Sequence, residues 1–112
     1  MIATNRTRRA ALRDRTRTHR ANARITRRGT ASLATHVMAT GLGPKAARTV
    51  ASSLRKAATK LELTGRTVRV HAGRKMRTAT RWTRTQVAAM ATLYRPRRAE
   101  YKMAANRLAL AA

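Results

Sequence analysis

The sequence predicts a mainly α-helical chain with one β-hairpin, and three observations carry that prediction. Apolar residues recur at helical spacing in several separate stretches. One short stretch alternates in the β-branched manner of a strand. Gly and Pro punctuate the chain at the expected boundaries. Three segments follow: an arginine-rich arm over 1–30, a helix pair with a hairpin over 31–83, and two C-terminal helices over 84–112.

The arm holds ten of the arginines and a single acid, Asp14. Leu12 and Ile25 are almost its only large apolar side chains after the first turn, too few to offset the entropy of ordering. It is therefore expected to be disordered by itself, or helical only against a partner. Its arginines are spaced for the second case. Arg6, Arg9, Arg13, Arg17, Arg20, Arg24 and Arg27 advance by three or four residues each time, which on a helix makes one stripe within about 80°. The far side, with Arg8, Ala11, Arg15, His19 and Asn22, offers no core face.

The next two elements form a pair. Thr30 to Thr40 carries Leu33, Val37 and Met38 at one-turn spacing behind a Thr or Ser cap. After Gly41-Leu42-Gly43, Pro44 suits a first helical turn because its φ is fixed and it has no N–H to lose. From there to Leu61, Val50, Leu54, Ala57 and Leu61 fall within about 60° of one another. Lys45, Arg48, Ser52, Arg55 and Thr59 lie opposite, so one face is core and the other basic and wet. A basic stripe ordinarily means only a solvated face. In a chain with almost no acids, it asks for an external counter-charge.

The helical period stops after Leu61. Leu63-Thr64-Gly65 makes a turn, residues 66–71 alternate as a strand, Ala72-Gly73-Arg74-Lys75 reads as a hairpin loop, and residues 76–82 return. Val68 and Val70 are expected to share a face, as are Met76, Thr78, Thr80 and Trp82, with Arg69, Arg77 and Arg81 pointing the other way. Trp82 reads as the core anchor of the hairpin, and Arg74 and Lys75 tip it. In the tail, Thr83 or Thr85 caps a helix with Val87, Met90, Ala91 and Tyr94 on one side. It ends before Pro96, which opens a last helix striped by Tyr101, Ala105, Leu108 and Ala112. Arg95, Arg97 and Arg98 make a third basic patch between these helices, and a homodimer through them is left open.

This order of elements, with its turn at Thr40-Gly41-Leu42 and a basic helix followed by a basic-tipped hairpin, resembles the winged helix-turn-helix DNA-binding domain over residues 31–83. The resemblance implies that Lys45, Arg48, Ser52 and Arg55 meet the major groove and that Arg74 and Lys75 lie on the wing. Gly41-Leu42-Gly43-Pro44-Lys45-Ala46-Ala47 also resembles the G-h-G-P-K-x-A turn of helix-hairpin-helix modules. That likeness implies phosphate contacts from Gly41, Gly43 and Lys45. The β-hairpin does not belong to the minimal form of that motif, so the winged form ranks first.

Charge bounds the partner. The 112 residues carry a formal net charge of +24, from 27 Lys and Arg against Asp14, Glu62 and Glu100. Internal ion pairs cannot neutralise this, so the natural counter-charge is an external polyanion. Double-stranded DNA is the first expectation. RNA in a ribonucleoprotein is the alternative, and an acidic patch on an inhibited protein is a third. A membrane is disfavoured: Phe is absent, Trp82 stands alone, and no run of about 18 apolar residues occurs. With no secretory h-region, the expected place is the cytoplasm, at the nucleoid.

No catalytic or metal constellation emerges. Cysteine is absent, His19, His36 and His71 are far apart and read as surface or cap residues, and no two carboxylates come together. Glu62 and Glu100 read as salt-bridge partners. The expectation is a small non-enzymatic DNA-binding protein without cofactors, such as a transcription regulator, an excisionase-like accessory factor or an architectural protein of a phage or mobile element.

Overall fold

The computed structural model describes the backbone of residues 2–111 and the side chains of residues 4–111. It is mainly helical with one antiparallel hairpin, in the order α1 (Ile2–Arg28), α2 (Leu33–Met38), α3 (Pro44–Lys60), β1 (Arg66–Ala72), β2 (Lys75–Arg81), α4 (Arg84–Leu93) and α5 (Ala99–Leu110).

Local chemistry sets most of the boundaries. Ser32 caps α2 by accepting from the Thr35 amide. Pro44 opens α3 at the position where a missing N–H costs nothing. Thr83 and Gln86 make a reciprocal capping box at the start of α4, each side chain bonded to the other residue's amide. The turn into α3 requires glycine at 41, where φ is 110°.

Leu33, Val37, Val50, Leu54, Trp82, Val87, Met90 and Leu108 form the centre of the core, with alanines from α3 and α4 filling between them. Small side chains let these helices approach closely, which is how an alanine-rich sequence closes a core at all.

The end of α3 departs from the sequence expectation. Leu61 is 37% exposed instead of completing the core stripe. The helix closes in a Schellman-type turn, with Leu63 N–H donating to Ala58 O and Glu62 N–H to Thr59 O, and Glu62 at φ 55°. That turn swings Leu61 outward and packs Leu63 against the core in its place. Among the described residues Glu62, held in the turn and expected as a salt-bridge partner, forms no ion pair. α5 likewise starts at Ala99, three residues after Pro96, because Arg98 stays extended as its N-cap. Ala104, Ala105 and Leu108 are its buried residues, Tyr101 packs against the core partly buried, and Ala112 lies outside the described residues.

The hairpin pairs Ala72 with Lys75 across Gly73-Arg74. That register sets Val68 opposite Ala79, Val70 opposite Arg77 and Arg66 opposite Arg81. Residues directly opposite share a face, so Arg77 and Arg81 lie with Val68 and Val70, while Arg69 lies with Met76, Thr78 and Thr80. This reverses the expected placing of Arg77 and Arg81 relative to Arg69. A two-residue connection leaves no alternative, because every even-numbered β1 residue then meets an odd-numbered β2 residue.

The base of the hairpin is tied to the segment before α2. Ala31 and Trp82 exchange both backbone hydrogen bonds, at 3.0 and 2.8 Å. Beside them Gly65 packs so closely that a Cβ there would meet Trp82 Cδ2 and Arg81 O at 3.0 Å and collide with Thr80 Cγ2. Trp82 itself is buried, as its reading as an anchor requires.

Candidate nucleic-acid interface

The arm stands as one helix, α1, and its two halves differ. Ala21 and Ile25 are buried, Asn22 Nδ2 donates to Ala39 O at 3.1 Å, and Arg84 Nη2 donates to Thr26 Oγ1 at 3.3 Å. The last turns of the arm thus belong to the core, contrary to the expectation that Ile25 was too isolated to bury. Two side chains suffice because α2 already offers them an apolar surface. Over residues 4–16, by contrast, only Ala10 is even half-buried, and Leu12 is 59% exposed.

The arginine stripe runs beside the packed face. Arg13, Arg17, Arg20 and Arg24 line an open groove with Leu12 and Met38. Arg17 pairs with Asp14 at 3.1 Å and reaches within 3.8 Å of the position a Cβ would take on Gly43. The stripe therefore meets the glycine turn. Arg6, Arg9 and Arg27 are exposed on the same helix.

On α3, Lys45, Arg48, Ser52 and Arg55 all face solvent, as the helical period requires. Lys45 shares a shallow crevice with Gly43, Arg98 and Tyr101 at the first turn of α3. The Gly41 amide donates to Met38 O at 3.0 Å, so the group that the helix-hairpin-helix likeness offers to a phosphate is already engaged. Arg74 and Lys75 are exposed at the hairpin tip. Arg95 and Arg97 are exposed in the connection before α5. Arg98 is partly tied down, 3.6 Å from Glu100 and 5.5 Å over the Tyr101 ring.

Arginines divide by task. Arg107 bonds Thr40 O at 2.5 Å and Arg84 bonds Thr26, so these two hold elements together. Among the described residues the only ion pairs are Arg17–Asp14 and Arg98–Glu100. Nearly all the remaining cationic side chains have no counter-charge in the chain.

His36 was misplaced by sequence reasoning. It is 2% exposed, and its Nε2 donates to Trp82 O at 2.7 Å, joining α2 to the end of the hairpin. Burial lowers its pKa, outweighing the hydrogen bond that raises it, and the Arg84 charge lowers it further. The clue was its place three residues after Leu33, on the apolar side of α2.

Among the described residues no three His, Cys, Asp or Glu side chains gather to hold a metal, and no helix is long and apolar enough to cross a membrane. Comparison with known protein families, with curated proteins and with solved structures finds no match.

Proposed function

We propose that the chain is a non-enzymatic DNA-binding protein of winged helix-turn-helix type, acting as a regulator or as an accessory or architectural factor of a phage or mobile element. The observation that carries this reading is the set of unneutralised cations set out along secondary structure: the α1 stripe, the exposed face of α3 and the tip of the hairpin. On α3, whose helix is held by packing, such cations displace condensed counterions with less ordering cost than a floppy tail does.

The winged layout is compatible with the order of the elements and with one tie between them. The Ala31–Trp82 bridge ties the end of the hairpin to the segment just before α2, an arrangement compatible with a wing. In this reading Lys45, Arg48, Ser52 and Arg55 enter the major groove, and Arg74 and Lys75 touch the flanking backbone. The α1 stripe, Arg95 and Arg97 add salt-dependent affinity without reading sequence.

Competition binding among duplex DNA, structured RNA and heparin at two salt concentrations tests the reading. Duplex DNA is expected to compete best, with a steep salt dependence. Tighter binding to structured RNA would move the protein into a ribonucleoprotein. Indifference to every polynucleotide near physiological salt would end the proposal.

A further inference from the structure

Where the hairpin meets the helices, its inner face and the end of α1 enclose a crease of about 230 Å³. Four arginines line it: Arg24 and Arg28 from α1, Arg77 and Arg81 from β2. Half-buried Val70 and Ala79 line it beside the arginine stems, and no carboxylate takes part. Among the described residues none of the four guanidinium groups is hydrogen-bonded or ion-paired, unlike those of Arg84 and Arg107.

We infer that this crease seats phosphodiester groups of one strand of the bound nucleic acid, a site distinct from the α3 face and the hairpin tip. The inference rests on the DNA-binding reading and deepens it. Four like charges drawn into one hollow repel one another until an anion enters, and planar N–H forks fit phosphate oxygens two at a time. A repeating anion suits the site better than an isolated one. Arg24 lines both this crease and the groove holding Arg13, Arg17 and Arg20, so the cationic surface runs unbroken from the middle of α1 to the inside of the hairpin. A polymer of phosphates can follow such a track. The hairpin register is what makes it possible, because it turns Arg77 and Arg81 inward with Val70 and Ala79.

The test compares two double variants of equal charge change in the full chain. R77A/R81A removes half of the crease, and K60A/R69A removes two exposed cations outside it. Binding to a duplex and to a structured RNA is measured across salt. R77A/R81A is expected to weaken duplex binding about tenfold or more and to lower the salt slope by roughly one to two, at about 0.9 per phosphate lost. The control should change affinity less than about threefold. Equal losses in the two variants would overturn the crease and leave only a count of charges. The same R77A/R81A loss on RNA alone would keep the crease and discard DNA as its partner.

A second measurement does not depend on any variant folding. Inorganic phosphate is titrated into the wild-type protein while the arginine Nε–Hε resonances are followed by NMR. Saturable shifts at Arg24, Arg28, Arg77 and Arg81, with none at Arg69, support the site. If they appear in a protein that ignores polynucleotides, the DNA-binding reading fails while the anion site stands. Uniform, unsaturable shifts overturn the site itself.

Discussion

α3 and α1 both present arginines at helical spacing. Yet α3, 17 residues long, buries Ala47, Val50, Ala51, Leu54, Ala57 and Ala58, whereas α1, 27 residues long, buries Ala21 and Ile25. The conformation of α3 follows from packing and would survive loss of its charges. Over its first half α1 has only local propensity behind it, and there Arg6, Arg8 and Arg9 face the positive end of the helix dipole with no acid in the first turn. A helical stretch of that kind is marginal in water. The same arginine spacing therefore describes a preformed surface in α3 and, in the first half of α1, one whose order depends on what it meets.

Truncating one large apolar residue in each helix tests the difference most sharply. Leu54→Ala removes a fully buried side chain and is expected to cost about 2–5 kcal/mol. Leu12→Ala should stay within about 0.5 kcal/mol, because the side chain is already in water. Chemical denaturation gives both values. A large cost at Leu12 would mean that the outer half of α1 has a foundation of its own.

Deleting residues 1–16 makes the complementary cut. It leaves Ala21, Asn22 and Ile25 on α2, so the midpoint of thermal unfolding should hold while affinity for duplex DNA falls at least about tenfold and the salt slope flattens. Added duplex should raise the helical circular dichroism signal of the full chain but not of the shortened one. An unchanged salt slope would remove the outer arm from phosphate binding.

Elements whose order is written in local chemistry were legible in the sequence. The Pro44 start, the Ser32 and Thr83 caps and the wet face of α3 needed only period and capping rules. What could not be read depends on non-local contact. Ile25 is buried because α2 lies beneath it, and His36 because the end of the hairpin brings a carbonyl within 2.7 Å. The hairpin itself was legible, but the facing of Arg77 and Arg81 follows from pairing across the strands, which a single strand's alternation does not give. The candidate site shows the same division. Its exposed arginines were visible as a stripe, whereas the crease depends on two distant segments meeting.

The hairpin resembles the outer half of α1 in resting on little of the core, and Gly65→Ala probes the packing at its base. The added methyl would press on Trp82 and Thr80 and on the Arg81 carbonyl, an overpacking expected to cost about 1–3 kcal/mol. Thr80→Ala removes one of the colliding atoms, and combined with Gly65→Ala it should recover part of that loss in the same denaturation measurement. No recovery would place the strain at Trp82 and the Arg81 carbonyl alone.

Acid distinguishes the two foundations by the smallest effect. Arginine stays protonated throughout the range between pH 5 and pH 7. His36 behaves otherwise. Its folded-state pKa lies below the ordinary 6.5, so as pH falls through that value the unfolded chain takes up a proton that the folded chain resists. Its contribution to stability is therefore present above pH 6.5 and shrinks on acidification toward the lowered pKa. Urea midpoints at pH 7.5 and pH 5.5 should differ in the wild type, with the acid value lower. The difference should narrow in His36→Gln, which keeps a donor for Trp82 O but has nothing to titrate. An equal acid loss in both proteins would show that His36 is not its source, and that its burial between α2 and the hairpin leaves no mark on the pH dependence.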